Sequence, residues 1–77
     1  MRNIPTDLLR AFVTIIDLRG YTRAGEKLGR TQPAISLQMR RLQEMLGVQL
    51  FAKAPSGAKV TPEGALGATY ARRILAL

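Results

Sequence analysis

The stretch from residue 30 to residue 46 has the pattern of one amphipathic helix, and it restricts the fold more than any other part of the chain. Thr31 can cap this helix by accepting a hydrogen bond from a free backbone amide. Pro33 falls in the first turn, where its missing N–H is not needed. Apolar residues then recur at helical spacing and predict a buried stripe: Ile35, Met39, Leu42 and Leu46.

The face opposite this stripe is unusual for a solvated helix. At about 100° per residue it carries Pro33, Leu37, Arg40, Arg41 and Glu44, with Gln32 and Ser36 along one edge. Two arginines beside an exposed leucine favour an anionic partner that also has polar edges and methyl groups. The major groove of DNA has these features.

Composition agrees with a small, folded, basic domain. The 77 residues are 47% hydrophobic and 22% charged, which favours one folded domain over disorder. Twelve Lys and Arg against five Asp and Glu give a net charge of +7, which is typical of nucleic-acid-binding domains. A basic domain that is merely soluble remains the alternative on charge alone.

Several classes of function find little support in the sequence. The chain has no Cys and no His, and its five carboxylates show no pairing pattern, so no disulfide, metal site, cofactor site or catalytic group can be assembled. Neither a signal peptide nor a membrane-spanning apolar run is visible. We therefore expect a cytoplasmic protein that is not an enzyme.

Two shorter helices are expected before the central one. The first covers residues 6–19, with Thr6 or Asp7 as cap and Gly20 just beyond its end. The second covers residues 22–28, with Thr22 as cap, Tyr21 packed against its start, and a glycine, residue 25, where another backbone comes close. A three-residue turn, 29–31, then leads into the central helix, which is a helix-turn-helix arrangement.

The remainder predicts a hairpin and a fourth helix. Extended runs at 48–53 and 58–61 flank the turn Ala54-Pro55-Ser56-Gly57 and predict a wing with Lys53 and Lys59 near its tip. Thr61 and Pro62 then start a helix whose apolar stripe is Leu66, Tyr70, Ile74 and Leu77. No stop signal precedes the end at Leu77, so we expect an N-terminal piece of a longer protein.

The chain resembles the N-terminal DNA-binding domain of LysR-type transcriptional regulators from about Leu8 to its end, without a gap. The matching segments are Tyr21-Thr22-Arg23-Ala24, Leu28, Thr31-Gln32-Pro33-Ala34-Ile35-Ser36, Gln38, Arg41-Leu42, Leu46-Gly47, Leu50-Phe51 and Thr61-Pro62-Glu63-Gly64. This resemblance implies a mainly α, winged helix-turn-helix domain over 1–61, with a three-helix core, and a linker helix from 62 to 77 that pairs in a dimer. It also implies a bacterial source and a larger effector-binding domain that is absent here.

The resemblance and the residue chemistry together give an expected DNA-contact set. The recognition helix, about 32–46, enters the major groove, and the wing, about 50–61, meets the backbone or minor groove. Base contacts are expected from Gln32, Pro33, Ser36, Leu37 and Arg40, and phosphate contacts from Arg30, Thr31, Gln38, Arg41, Lys53 and Lys59. Dimer contacts are expected from Leu66, Tyr70, Ile74 and Leu77, and a small-molecule effector would act only through the absent domain.

Some positions depart from the family pattern. The family often has Arg where this chain has Leu37, and Leu offers only apolar contact, for instance to a thymine methyl. Lys53 replaces a usual arginine, and the wing positions Ser56 and Gly57 are often arginine in the family. The main alternative to DNA binding is a protein-interaction module in which Leu37 and Arg40 dock an acidic partner; a membrane-active helix is less favoured because the basic residues are spread over the chain.

Overall fold

The computed structural model describes residues 3–54 and 57–76. Within these ranges the chain forms four helices and one antiparallel hairpin in the order expected for a winged helix-turn-helix. The elements are α1 (Thr6–Leu18), α2 (Tyr21–Leu28), α3 (Gln32–Leu46), β1 (Phe51–Ala54), β2 (Gly57–Val60) and α4 (Pro62–Ala76). No helix in the described ranges is long and apolar enough to cross a membrane.

A core of mainly aliphatic side chains and two phenylalanines joins the four helices and the start of the hairpin. Its largest fully buried members are Phe12, Ile15, Ile35, Met39, Leu42 and Leu50. The predicted stripe on the central helix is therefore confirmed for three of its four residues. It is wrong for Leu46, which is 37% exposed, because α3 ends there and Gly47 turns the chain away at φ 71°.

The corner between α1 and α2 differs from the prediction. Arg19, not Gly20, takes the left-handed conformation at φ 58°, and Gly20 is extended and occupies the cap position of α2. The helix α2 therefore starts at Tyr21 rather than at a Thr22 cap. The corner takes only two residues, and the amide of Gly20 donates to the carbonyl of Ile15 at 3.2 Å. The residue with left-handed backbone conformation therefore lies one position earlier than Gly20, where the sequence predicts it.

The predicted cap of α1 was wrong, and an aromatic cluster forms beside this helix. Neither Thr6 nor Asp7 caps α1; Pro5 occupies the cap position and no side chain bonds the free amides there. The ring of Tyr21 packs edge-on against Phe51, with centroids 5.6 Å apart. Because Phe51 also packs edge-on against Phe12 at 5.5 Å, these rings tie the start of the hairpin to α1 and α2.

The turn between α2 and α3 is as tight as predicted. Gly29 is left-handed at φ 69°, and the amide of Arg30 donates to the carbonyl of Gly25 at 2.7 Å. A Cβ at Gly25 would lie 2.5 Å from the carbonyl oxygen of Arg30. The close backbone approach expected at this glycine is thus confirmed, and it sets the angle at which α3 leaves α2.

The hairpin and α4 begin largely where expected. In the register of the two strands Phe51 pairs with Val60, Lys53 with Ala58 and Ala54 with Gly57. The strand β1 therefore starts later than the predicted run 48–53, and both strands reach nearer the tip than predicted. The turn residues Pro55 and Ser56 lie outside the described residues. Thr61 caps α4, since the amide of Gly64 donates to its Oγ1 at 2.9 Å.

One side of α4 lies on the core and the other is exposed. Gly64, Ala68 and Ala71 are buried, which shows why small residues recur on that side. The predicted pairing stripe is the other side: Leu66 is 61% exposed, Tyr70 56% and Ile74 47%. Its fourth member, Leu77, lies outside the described residues.

Candidate nucleic-acid interface

The outward face of α3 is a continuous surface of polar, basic and apolar side chains. Pro33, Leu37, Arg40, Arg41 and Glu44 are all exposed, as the helical periodicity predicts. Since Ile35, Met39 and Leu42 are held in the core, this outward face cannot rotate away from solvent. The fold thus presents two guanidinium groups and one leucine side chain on a rigid helix.

The first turn of α3 is ordered by two side-chain hydrogen bonds. Thr31 Oγ1 accepts from the amide of Ala34 at 3.3 Å, which confirms the predicted cap. Gln32 Nε2 donates to Ser36 Oγ at 2.6 Å, one helical turn away. This second bond holds the Gln32 amide along the helix surface and leaves its carbonyl oxygen and a second N–H for an external partner. A donor and an acceptor side by side suit the paired groups of an adenine edge.

Gln38 lies in a different environment from the other predicted contacts. It is only 7% exposed, and its Nε2 donates to Asp7 Oδ2 at the start of α1, at 3.3 Å. Its Oε1 is buried without a hydrogen-bond partner in the described part of the chain. This burial between α1 and α3 does not fit the expected phosphate contact, because the side chain would have to leave its partner to reach solvent.

The other predicted cations lie on three successive elements, namely the turn before α3, α3 itself and the hairpin. Arg30 is exposed in the turn that precedes the helix, and Lys59 is exposed on β2. Arg41 lines a shallow groove between the start of α1 and α3, together with Pro5, Asp7, Leu8, Glu44 and Met45. Lys53 lies in β1, opposite Ala58. Cationic residues therefore occur in the turn, on the helix and in the hairpin.

One polar side chain that the sequence pattern does not reveal connects α3 to the hairpin. Gln43 Oε1 accepts from the amides of Leu50 at 2.8 Å and of Phe51 at 3.2 Å. The spacing of seven and eight residues spans the end of α3 and the following bend, so no helical periodicity signals it. A polar residue just before a glycine stop and an apolar pair is the only hint in the sequence.

The described residues hold no group of three or more acidic side chains that could bind a metal ion. The one ion pair among them joins Asp17 of α1 to Arg72 of α4 at 2.6 Å, away from the outward face of α3. Arg72 donates to the carboxylate and attracts it, and so lowers the pKa of Asp17.

A family model and the related proteins of known sequence point to the same family. Residues 6–65 match the family model described as bacterial regulatory helix-turn-helix protein, lysR family. The HTH-type transcriptional regulator DgdR of Burkholderia cepacia is 40% identical over 96% of this chain and 25% of its own length. The HTH-type transcriptional regulator PecT of Dickeya dadantii is 41% identical over 95% of this chain and 23% of its own length.

Solved structures agree with this sequence relationship. The protein in a crystal structure of a BenM_DBD/benA site 1 DNA complex is 36% identical in sequence to this chain, and the two folds match with a TM-score of 0.89. The match covers 95% of this chain and 82% of that chain. A CbnR_DBD-DNA complex is 30% identical, also with a TM-score of 0.89, over 94% of this chain and 83% of that chain. The chain spans about a quarter of the length of the curated relatives described above. It belongs to the bacterial LysR family of helix-turn-helix regulatory proteins.

Proposed function

We propose that this chain is the part of a bacterial LysR-type transcriptional regulator that binds double-stranded DNA in a sequence-specific way. The observation that carries the proposal is the exposed face of α3, where a pre-oriented Gln32–Ser36 pair and two arginines surround Leu37. The structures of related chains in complex with DNA support it. We assign no catalytic role and no cofactor to the chain.

Affinity and specificity come from different side chains in this proposal. Phosphate neutralisation releases counterions and supplies most of the affinity; we assign it to the cations Arg30, Arg41, Lys53 and Lys59. Thr31 adds a neutral hydrogen bond to a phosphate. Base contacts come from Gln32, Pro33, Ser36, Leu37 and Arg40. Gln38 is left out of the phosphate set because Asp7 already binds its amide within the interface between α1 and α3.

Leu37 is the position at which we expect the base preference of this chain to depart from that of regulators with arginine there. An arginine binds guanine with two hydrogen bonds, whereas a leucine side chain gains from contact with a thymine methyl group. Leu37 is exposed at the centre of the α3 face, so it meets the groove without rearrangement. We therefore propose a thymine rather than a guanine opposite this residue.

The apolar stripe of α4 is proposed to pair two copies in the full-length protein, through Leu66, Tyr70 and Ile74, with Leu77 as a further candidate. Exposed apolar side chains of this size favour association because burying them removes apolar surface from water. A two-fold dimer places two α3 helices on half-sites separated by one helical turn of DNA or a multiple of it. We also propose that a small-molecule effector acts through a separate domain of that longer protein, and that the protein works in the cytoplasm, at the nucleoid.

The direct test of base reading is the variant Gln32→Ala, measured by fluorescence anisotropy on a selected binding sequence and on random DNA. We expect the discrimination between these duplexes to fall by about 1–3 kcal/mol, since one bidentate base contact is lost. Arg41→Ala serves as the matched control, because loss of a phosphate contact weakens both duplexes alike and lowers the salt slope by roughly one unit. Equal losses on both duplexes for Gln32→Ala would show that Gln32 only positions the protein.

A further inference from the structure

The wing is fastened to the recognition helix by a short series of hydrogen bonds that starts at Gln43. Gln43 Oε1 accepts from the amides of Leu50 and Phe51, the two residues at which the chain enters β1. The carbonyl of Leu50 accepts from the amide of Thr61 at 3.0 Å, where the chain leaves β2. One side chain of α3 therefore holds both ends of the hairpin, one directly and one through Leu50.

The series continues into α4. Thr61 Oγ1 donates to the carbonyl of Gln49 at 2.6 Å and accepts from the amide of Gly64 at 2.9 Å. Gly64 itself packs so closely on the carbonyl oxygen of Leu50 that a Cβ there would overlap it. The base of the hairpin is thus enclosed between Gln43 on one side and the first turn of α4 on the other.

We infer that Gln43 is a positioning residue for DNA binding: it fixes the wing relative to α3, so that Lys59 reaches a phosphate while α3 lies in the groove. The inference rests on the proposed function but names a residue outside the DNA-contacting set. Gln43 is half-buried, and its side-chain carbonyl is bonded to the start of the hairpin and not directed to the outward face of α3. Its effect on DNA binding therefore passes through the wing and depends on the presence of Lys59.

The test is a double-mutant cycle between Gln43→Met and Lys59→Ala in the 77-residue chain, measured on random-sequence duplex across a salt series. Methionine keeps the length of the side chain and removes the acceptor. Loss of one phosphate contact weakens binding about eightfold at 0.1 M salt and lowers the salt slope by about 0.9. We expect either single variant to show this loss, and Gln43→Met to add less than about twofold once Lys59 is absent.

Amide exchange at Leu50 and Phe51 supplies a second readout that needs no DNA. We expect faster exchange at both amides in Gln43→Met and normal protection in Gln43→Glu, whose carboxylate still accepts both bonds. Gln49→Ala is the matched control, because its side chain is exposed and makes no hydrogen bond within residues 3–54 and 57–76. If Gln43→Met does not fold, Gln43→Asn replaces it, since the shorter side chain cannot reach both amides.

Three results would overturn the inference. The first is that Gln43→Met binds DNA as tightly as the original chain. The second is that the affinity losses of Gln43→Met and Lys59→Ala multiply in the double variant. The third is that Lys59→Ala leaves binding unchanged while Gln43→Met weakens it. If the original chain binds no DNA, the proposed function fails instead. The exchange rates at Leu50 and Phe51 then still decide whether Gln43 holds the wing.

Discussion

Gly64 and Gly67 lie one turn apart in α4, yet alanine at these two positions is expected to change stability in opposite directions. A Cβ at Gly64 would overlap the carbonyl oxygen of Leu50 and lie 2.9 Å from Val60 Cγ1. A Cβ at Gly67 would meet Leu50 Cδ2 at 3.6 Å and Phe12 Cε2 at 3.7 Å, which are ordinary van der Waals contacts. The same chemical change therefore tests the packing of α4 on the base of the hairpin.

The cost at Gly64 follows from what must move. Overpacking against backbone costs about 1–3 kcal/mol, because a carbonyl cannot rotate aside as a flexible side chain does. Displacing Leu50 also weakens the hydrogen bond from the amide of Thr61 to its carbonyl, worth about 0.5–1.5 kcal/mol. The better helix propensity of alanine relative to glycine offsets at most about 1 kcal/mol of this cost. We expect Gly64→Ala to lower the free energy of unfolding by roughly 1–3 kcal/mol, with overpacking as the largest contribution.

Thermal unfolding followed by circular dichroism measures both variants. In a domain of this size 1 kcal/mol shifts Tm by about 4–8 °C, so Gly64→Ala should lower Tm by roughly 5–20 °C. Gly67→Ala should raise Tm by up to about 8 °C, because it gains helix propensity with no overlap. A Gly64→Ala protein as stable as the original, or equal destabilisation by both variants, would refute this account of the packing.

Two further predictions concern hydrogen bonds at other sites. Thr31→Ala should lower the free energy of unfolding by about 1 kcal/mol in urea titrations, because α3 loses its cap. Thr6→Ala is the control and should change this free energy little, since Thr6 makes no cap hydrogen bond. Equal effects of the two variants would contradict the assignment of the cap. Arg72→Ala should cost no more than about 1 kcal/mol at neutral pH, because the side chains of Arg72 and Asp17 are 48% and 52% exposed. A carboxylate whose pKa is lowered by folding contributes stability that is lost as the pH falls. The difference in stability between Arg72→Ala and the original chain should therefore vanish as the pH drops through the lowered pKa of Asp17. A difference that grows in acid would refute this role of the ion pair.

Features fixed by neighbouring residues were predictable from the sequence. The caps at Thr31 and Thr61 and the proline at the start of α4 are settled within one turn of helix, and all three are confirmed. The tight turn beside Gly25 was equally local. Helical spacing alone also placed the outward face of α3 correctly, because rigid periodicity leaves no other arrangement once Ile35 is buried.

Features that depend on distant residues were not predictable in this way. Periodicity predicts that Leu46 is in the core, but it does not show that α3 ends at this residue, which is 37% exposed. The preference of glycine for left-handed backbone predicts that Gly20 turns the corner, whereas the left-handed residue there is Arg19. The hydrogen bonds of Gln38 with Asp7 and of Gln43 with Leu50 link elements separated along the chain, and sequence spacing does not reveal either pair.

Selection from a random pool of duplexes tests whether the exposed face of α3 reads DNA sequence. We expect the 77-residue chain to enrich a defined sequence that it binds well above random DNA in moderate salt, and we expect Leu37→Arg to shift the preference at one position from thymine toward guanine. Enrichment of no sequence, with binding that depends only on salt, would contradict sequence reading by α3 and leave a basic domain that binds DNA through phosphates alone.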